Sequence, residues 1–352
     1  MRFQTGIASR RGARRGFTLI ELMVVVVIIA ILIGILIPAV GAVKRSARNT
    51  QTQAILGTLG TGLESFRAEQ KIGGGYPPSY SDAVIGSGDQ GKVRSPYTAL
   101  GGPQWFDITG AGLLVWALLG ADQLGTPGFQ PFRTNNNERL WYRDSDATNT
   151  GNDPTASGAY ALRSDDQRPL HPRYGPYVDA SKVQVTQWDR QQSKFVIPAE
   201  AEANPNSNPS RDYPLLLDGF GFPILYWRAD TAGVQIADAD RFNASGSNRG
   251  IYHWEDNMEL IRDNGSNRLV LRPGADDHSL DFNNTSPTWY QGYDPVNNLP
   301  DDAVSFVRFI MNMGVKARLT PHRADSYLLV SPGDDGVYGT GDDIANFEHN
   351  GR

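Results

Sequence analysis

The feature that most constrains this 352-residue chain is an apolar run near its amino terminus, the 22 residues of Leu22–Val43, which contain no charged side chain. A helix of about 20 apolar residues can cross a hydrocarbon core about 30 Å thick. Four arginines lie shortly before the run, and an excess of arginine on one side of a membrane helix predicts that this side is cytoplasmic. The sequence therefore predicts a single-pass membrane helix with a cytoplasmic amino terminus.

A single acidic residue, Glu21, stands at the head of the apolar run. A charge at the centre of a bilayer costs roughly 2.5–3.5 kcal/mol on insertion scales, so an acid in such a segment usually has a partner and a role. Two simpler interpretations are a plain anchor whose acid reaches the headgroups, and a secretory signal peptide. A signal peptide has a shorter apolar region with a small-residue cleavage site behind it, whereas here the run is longer and the helical pattern continues beyond it.

The pattern after the run predicts an amphipathic continuation of the same helix. Apolar residues recur at intervals of three, four and eight positions, which is typical of a helix with one covered face. They are Ala47, Ile55, Leu59, Leu63 and Phe66. Together the two parts predict one helix from residue 17 to about residue 70, stopped by the glycines at 73–75. Pro38, close to Gly34, should kink or locally melt it, because proline removes one hydrogen bond of the helix.

The stretch GFTLIEL, at Gly16–Leu22, resembles the cleavage and methylation signal of type IV pilins and type II secretion pseudopilins. The resemblance implies that a prepilin peptidase cuts between Gly16 and Phe17, and that Phe17 becomes a methylated amino terminus. It also implies that Glu21 pairs with the terminal amine of a neighbouring subunit during filament assembly. Pro38 occupies a position at which this family commonly has a proline that allows subunits to pack tightly.

The same resemblance divides the chain into four parts. Residues 1–16 would be a cleaved cytoplasmic leader, residues 17–43 the membrane and filament-core half of the long helix, and residues 44–70 its amphipathic half. Residues 71–352, called the head below, would be a pilin-like body with large insertions. The expected fold class is α+β, with a long kinked N-terminal transmembrane helix and a loop-rich head that contains a small antiparallel sheet.

Three short segments of the head are dense in apolar and aromatic residues and predict the strands of that sheet. They are Pro223–Arg228, Asn267–Arg272 and Ser326–Ser331. The charge-free core of Thr109–Gln123 is too short to span a membrane and predicts a buried helix.

A further short helix is predicted in LPDDAVSFVRFIMNMG, capped by Asp301 or Asp302 and terminated by Gly314.

The segment LLLDGFGFPILYW resembles a pseudopilin segment in which an Asp, an aromatic residue, a Gly and a Pro precede the first strand. The corresponding residues are Asp218, Phe220, Gly221 and Pro223.

An acidic, glycine-rich stretch, SPGDDGVYGTGDDIANF, lies near the carboxyl terminus. Calcium takes six to eight oxygen ligands, and glycines let carboxylates and backbone carbonyls converge. The stretch resembles the calcium loop of the major pseudopilin of type II secretion. That resemblance implies side-chain ligands at Asp335, Asp342 and Asp343, with carbonyls near Pro332 and Val337. Without the resemblance, an ordinary Asp-Gly turn on an acidic surface explains the same residues.

Composition and motifs argue against other functional classes. Five of the 33 Lys and Arg residues lie in the first sixteen positions, where there is no acid, so the rest of the chain is acidic and should repel nucleic acid. Cysteine is absent, which excludes thiolate catalysis and disulfides. The five histidines show no metal-binding spacing, and no nucleophile-elbow or phosphate-loop motif is present. We therefore expect no enzyme.

The sequence thus predicts a structural subunit of a type IV pilus-like or type II secretion pseudopilus filament. Its expected partners are further copies of itself or related subunits, the prepilin peptidase, an inner-membrane assembly platform and, before assembly, membrane lipid. Its head is expected in the periplasm and later on a cell-envelope or extracellular filament. The alternative is a membrane-anchored binding protein that is exported with a pilin-like signal and does not polymerise.

Overall fold

The computed structural model of the chain describes residues 19–69, 74–79, 92–94, 105–107, 109–120, 123–126, 173–189, 191, 194–196, 214–238, 249–261, 306–315 and 320–349. The predicted cleavage bond Gly16–Phe17, the predicted strand Asn267–Arg272 and the predicted caps Asp301 and Asp302 lie outside these residues. The chain divides into two compact units, Met1–Ala47 and Arg48–Arg352.

The first element is α1, a 50-residue helix at Leu19–Ala68. It is continuous through Pro38, so of the two predicted effects, a kink or local melting, the structure shows no melting at this residue. A proline removes only one backbone hydrogen bond, and the neighbouring turns keep theirs. The helix ends with a tight bond from the Glu69 N–H to the Phe66 carbonyl, 3.1 Å, just before the predicted end.

The second part of α1 has one buried face. Its buried residues are Thr52, Ile55, Leu56, Leu59, Gly62, Leu63 and Phe66. The prediction of a covered face is confirmed for four of its five residues and is wrong for Ala47, which is exposed. Ala47 fits the apolar periodicity, but the periodicity does not show at which residue the buried face of the helix begins. The burial of Gly62 was not predicted. A Cβ at this position would lie 2.3 Å from Cγ2 of Val178, so glycine permits the close approach of Val178 to the helix.

The next helix, α2, covers Gly110–Leu118, and all nine of its residues are buried. It confirms the predicted buried helix. The Thr109 side chain accepts a hydrogen bond from the Gly112 N–H, and Asn257 Oδ1 accepts one from the Ala111 N–H at 3.0 Å. These bonds satisfy amide groups that a buried helix start would otherwise leave without partners. Gly120, at φ 78°, ends the helix in the left-handed conformation.

A three-stranded antiparallel sheet forms around β10 and contains two of the three predicted strands. Its order is β11-β10-β7, with β7 at Leu225–Arg228, β10 at Tyr327–Ser331 and β11 at Ile344–Ala345. Tyr327 pairs with Arg228, and Val330 pairs with both Leu225 and Ala345. Strand β7 starts two residues later than predicted, because Pro223 has no N–H to donate and instead forms an isolated bridge with Leu217.

The remaining described strands form two-stranded pairs. The antiparallel pairs are β1 (Lys92–Arg94) with β2 (Trp105–Asp107), β3 (Gln184–Val185) with β6 (Leu216–Leu217), and β4 (Gln187–Asp189) with β5 (Lys194–Val196). Strands β8 (Gln235–Asp238) and β9 (Gly250–His253) pair in parallel. Two 3-10 helices, Ala180–Lys182 and Trp254–Asn257, and α3, Met258–Ile261, complete this part of the chain. The fold class is α+β, as predicted.

The last helix, α4, covers Phe306–Ile310 and corrects one prediction. Gly314 does not terminate it, because the helix ends four residues earlier. Met311 forms a bridge with Pro321, and the Asn312 N–H donates to the Thr320 carbonyl at 2.9 Å. These contacts with residues eight to ten positions later replace the helical hydrogen bonds, and the periodicity of the helix does not predict them.

Candidate functional site

Glu21 lies in the first turn of α1, where a negative charge is favourable because the helix dipole is positive at that end. All residues from Leu19 to Arg48 are exposed, including large apolar side chains such as Ile35 at 68% and Leu36 at 61%. Among the residues that the structure describes, α1 is the one helix long and apolar enough to cross a membrane. An apolar surface of this length fits a membrane-anchored protein.

The acidic loop, residues 332–343, connects β10 to β11. Three of its glycines adopt positive φ values, Gly333 at 68°, Gly336 at 72° and Gly339 at 95°. A Cβ on Gly333 would also lie 2.3 Å from the Asp342 carbonyl oxygen. The glycines thus let this loop fold back on itself, which other residues would do only with strain.

The fold of the loop brings the three predicted aspartates together. Oδ2 of Asp342 accepts the Asp335 N–H at 3.1 Å, and Oδ2 of Asp343 accepts the Gly339 N–H at 2.8 Å. The Thr340 hydroxyl lies 2.6 Å from Oδ1 of Asp342 and 3.3 Å from Oδ1 of Asp343. A hydroxyl has one proton, so it can donate to only one of these two carboxylates at a time.

The electrostatics of the loop are those of crowded, partly buried acids. Burial raises the pKa of Asp343 well above its ordinary value, and the charges of Asp335 and Asp342 add to this rise. Burial also raises the pKa of Asp335. Burial opposes ionisation of Asp342 as well, but hydrogen bonds from Thr340 and from the Asp335 and Asp334 N–H groups lower its pKa overall. Because the pKa of Asp335 is raised and that of Asp342 is lowered, Asp335 keeps its proton more readily than Asp342.

The donor atoms of the loop match the chemistry of calcium, because carboxylate and carbonyl oxygens are its ligands. Their arrangement is not a finished cage: no group of three or more acidic or histidine side chains within the described ranges is placed to hold a metal ion. The carboxylates are turned toward backbone N–H groups, and the Val337 carbonyl oxygen lies 3.2 Å from the Thr340 hydroxyl, a third acceptor for its single proton. A cation would have to replace some of these bonds. Pro332, the first residue of the loop, is buried.

Sequence reasoning singled out Asp218 but missed what it does. Asp218 is fully buried, and its Oδ1 accepts the N–H groups of Phe220 at 2.8 Å and Phe222 at 2.9 Å. Its Oδ2 accepts the hydroxyl of Ser331 at 2.6 Å. Burial raises the pKa of Asp218, and these hydrogen bonds oppose the rise. The Asp-aromatic-Gly-Pro spacing pointed to the turn, whereas the partner Ser331 is 113 residues away.

A cluster of polar and charged side chains around the buried His253 was also missed. Nδ1 of His253 contacts Oδ1 of Asp238, and Nε2 lies 3.5 Å from Oδ2 of Asp230. Nε of Arg249 donates to Asp230 at 2.6 Å. The parallel pairing of β8 and β9 brings these residues together, and no spacing motif reveals that. The His253 side chain is 0% exposed, so its contacts lie within the protein interior, where they join β8 and β9.

Comparison with known proteins gives one match. The family model described as the prokaryotic N-terminal methylation motif matches residues 11–37. No curated protein and no solved structure matches the chain. The matched residues include the predicted cleavage bond, Glu21 and most of the apolar run. The amino-terminal segment of this chain is therefore a prokaryotic N-terminal methylation motif, the signal of type IV pilins and pseudopilins.

Proposed function

We propose that this protein is a structural subunit of a type IV pilus-like or type II secretion pseudopilus filament that is assembled from the inner membrane. The observation that carries the proposal is the methylation motif at residues 11–37, whose described part, residues 19–37, lies on a long, exposed, apolar helix. A soluble protein would not expose such a surface, because apolar area costs free energy in water. Lipid before assembly and neighbouring helices after assembly would both cover it.

The proposed pathway begins at the cytoplasmic side of the inner membrane. A prepilin peptidase removes residues 1–16 by cutting between Gly16 and Phe17, and the new terminal amine of Phe17 is methylated. The apolar part of α1 stays in the membrane, and the head lies in the periplasm. An inner-membrane assembly platform then adds the subunit to a filament of identical or related subunits.

Glu21 has a specific place in this proposal. Cleavage creates a cationic amine four residues before it, and a carboxylate in an apolar environment is tolerated chiefly when it is paired. Pairing Glu21 with the amine of a neighbouring subunit would satisfy both charges and fix the axial register of the filament. Pro38 would serve close helix packing in the same core.

The proposal for the acidic loop is a calcium site with Asp335, Asp342 and Asp343 as side-chain ligands and the carbonyls near Pro332 and Val337 as further ligands. The geometry supports it, because the fold of the loop brings the three carboxylates together, and the pKa values of Asp335 and Asp343 are raised first by burial and then by the neighbouring carboxylates. Bound calcium would supply the missing positive charge. Its role would be to stabilise the head rather than to catalyse a reaction.

The experiment that tests the filament proposal combines processing and assembly in cells that produce the native filament. Mass spectrometry of the membrane protein should find Phe17 at the amino terminus, carrying a methyl group. Glu21→Ala should leave membrane insertion intact, since it removes a costly charge, and should abolish incorporation into filaments seen by immunogold microscopy. Glu64→Ala, an exposed acid near the other end of α1, is the matched control and should assemble normally.

Two results would count against the filament proposal. A mature chain that still begins at Met1, or one cut behind the apolar run, would contradict the processing step. Filaments as abundant with Glu21→Ala as with Glu64→Ala would show that the register is set in another way. A processed protein that is never found on filaments would favour the membrane-anchored binding protein.

A further inference from the structure

The turn at residues 218–222, called the Asp218 turn, contacts α1 on one side. The Gly219 N–H donates to the hydroxyl of Thr52 at 3.0 Å, and the Thr52 side chain is fully buried. A Cβ on Gly219 would lie only 2.6 Å from the Arg48 carbonyl oxygen, so the glycine permits close approach to the helix. The Arg48 guanidinium lies 5.8 Å from the ring centre of Phe220. The turn is therefore closely seated on residues 48–52 of α1.

The other side of the Asp218 turn contacts the acidic loop and its entry from β10. The Ser331 hydroxyl donates to Asp218 and accepts the Gly333 N–H at 3.3 Å, which joins the turn and the loop through one side chain. A Cβ on Gly336 would lie 2.8 Å from the Phe222 ring, and the buried Tyr338 hydroxyl donates to the Pro223 carbonyl at 2.6 Å. The loop therefore rests on the turn through hydrogen bonds and close packing.

We propose that the Asp218 turn couples the acidic loop to α1, so that order in the loop and attachment of residues 48–52 of α1 stabilise each other. The physical link runs from Thr52 to the Gly219 backbone, along the chain to Asp218, and from the Asp218 carboxylate to Ser331 and Gly333. The hydrogen bonds of Gly333, Ser331 and Asp218 are in series and strengthen one another, and closely packed groups transmit small displacements. Thr52, Asp218 and Ser331 are then positioning residues for the loop.

One consequence rests on the calcium site proposed above. Because coupling between two sites is reciprocal, a cation in the loop would tighten the attachment of α1, and loss of that attachment would weaken calcium binding by the same factor. Calcium would then affect the contact between the Asp218 turn and residues 48–52 of α1, although none of these residues is a proposed ligand.

The test uses the full chain in detergent micelles and follows amide hydrogen exchange in a chelator. Thr52→Val keeps the size of the side chain and removes the hydroxyl that accepts from Gly219. Thr58→Val is the matched control on the same helix, since its hydroxyl donates only to the Ala54 carbonyl within its own helix, at 2.9 Å. Thr52→Val should accelerate exchange of the Asp335, Val337 and Gly339 amides about 5-fold or more relative to the control.

Two further readouts separate coupling from a general loss of stability. The buried amides of α2 should exchange at unchanged rates in Thr52→Val, and Thr52→Ser, which retains the hydroxyl, should restore slow exchange in the loop. Ser331→Ala should have the reciprocal effect and accelerate exchange of the Gly219 amide. Unchanged loop amides in Thr52→Val, or equal acceleration in the loop and in α2, would overturn the coupling.

Calorimetric titration with calcium on the same proteins separates this inference from the calcium proposal. A native chain that binds calcium, with affinity weakened about 5-fold by Thr52→Val and not by Thr58→Val, supports both. Equal affinities of the two variants overturn the coupling and leave the calcium site standing. A native chain without calcium binding contradicts the calcium site, and the exchange rates then decide the coupling without it.

Discussion

Two apolar helical segments of this protein differ in the exposure of their side chains. Residues 19–43 of α1 expose their apolar side chains all round, whereas all nine residues of α2 are buried within the head. Both segments lack the polar face of an ordinary surface helix, and residues 19–43 carry their one acid, Glu21, in the first turn of α1. Length separates them: α2 fits inside a core, while the apolar part of α1 matches a bilayer. The comparison teaches that an apolar helix must be removed from water, and that its length predicts whether the protein core or the bilayer surrounds it.

The strongest way to break this comparison is to place the same charge in both segments. Leu114→Lys puts an ammonium into the fully buried α2, at a cost of several kcal/mol, which is comparable to the stability of a whole domain. The head should lose its protease resistance. Ile29→Lys in α1 should leave the head folded and reduce membrane insertion, measured by carbonate extraction, by about 2.5–3.5 kcal/mol. A protease-resistant head in Leu114→Lys would show that α2 is not part of the core.

A second test sharpens the comparison within α1 itself. Leu59 is fully buried against the head, and Leu36 is 61% exposed. Leu59→Ala should lower the free energy of unfolding by about 2–5 kcal/mol, because it removes buried methyl groups and leaves a cavity. Leu36→Ala should change it by less than about 0.5 kcal/mol. Denaturant unfolding of the full chain in detergent measures both, and equal effects would contradict the assignment of one covered face.

A third test extends the comparison from apolar to charged groups. If the acidic loop binds calcium, the head should melt at a higher temperature in calcium than in chelator, with a gain of about 2.7 kcal/mol at a hundredfold excess over Kd. Magnesium should replace calcium poorly, because it prefers a smaller octahedral shell. Asp342→Ala should remove most of the gain, and Asp325→Ala, an exposed acid outside the loop, should retain it. Equal melting temperatures in calcium and chelator would reduce the loop to a surface turn.

The smallest expected effect contrasts a buried and an exposed aspartate. Burial raises the pKa of Asp218, so its contribution to stability is present below the ordinary pKa of 3.8 and is lost as the pH rises through the raised value. Hydrogen bonds from the backbone N–H and the hydroxyl of Ser181 lower the pKa of Asp179, whose contribution is present above 3.8 and is lost as the pH falls.

Asparagine variants of the two residues show whether each carboxyl group makes the protein less or more stable as the pH rises. Between about pH 3 and about pH 7, the free energy of unfolding of the native chain should fall relative to Asp218→Asn and rise relative to Asp179→Asn. Chemical denaturation at several pH values measures the differences. Slopes of the same sign for the two variants would contradict the different environments of these carboxyl groups.

Much of the framework could be predicted from local patterns. The apolar run predicted α1, the short apolar segment predicted α2, and the density of apolar and aromatic residues predicted β7 and β10. These predictions succeeded because each pattern reports a property of consecutive residues. The predictions for Ala47 and Gly314 were wrong because they depend on contacts with other segments. Burial along α1 depends on where the head contacts it, and the helix before Gly314 ends where Met311 pairs with Pro321.

The sequence by itself determined that the chain has a pilin-type amino terminus, a helix of membrane length and a glycine-rich acidic loop, because charge, length and backbone freedom are written in consecutive residues. Only the tertiary structure decided which groups meet. It paired Asp218 with Ser331 and placed Thr52 beneath Gly219. It also enclosed His253 between two aspartates. Such contacts join residues that are far apart in the chain, and they form only when the packing of the whole core fixes the distance between them.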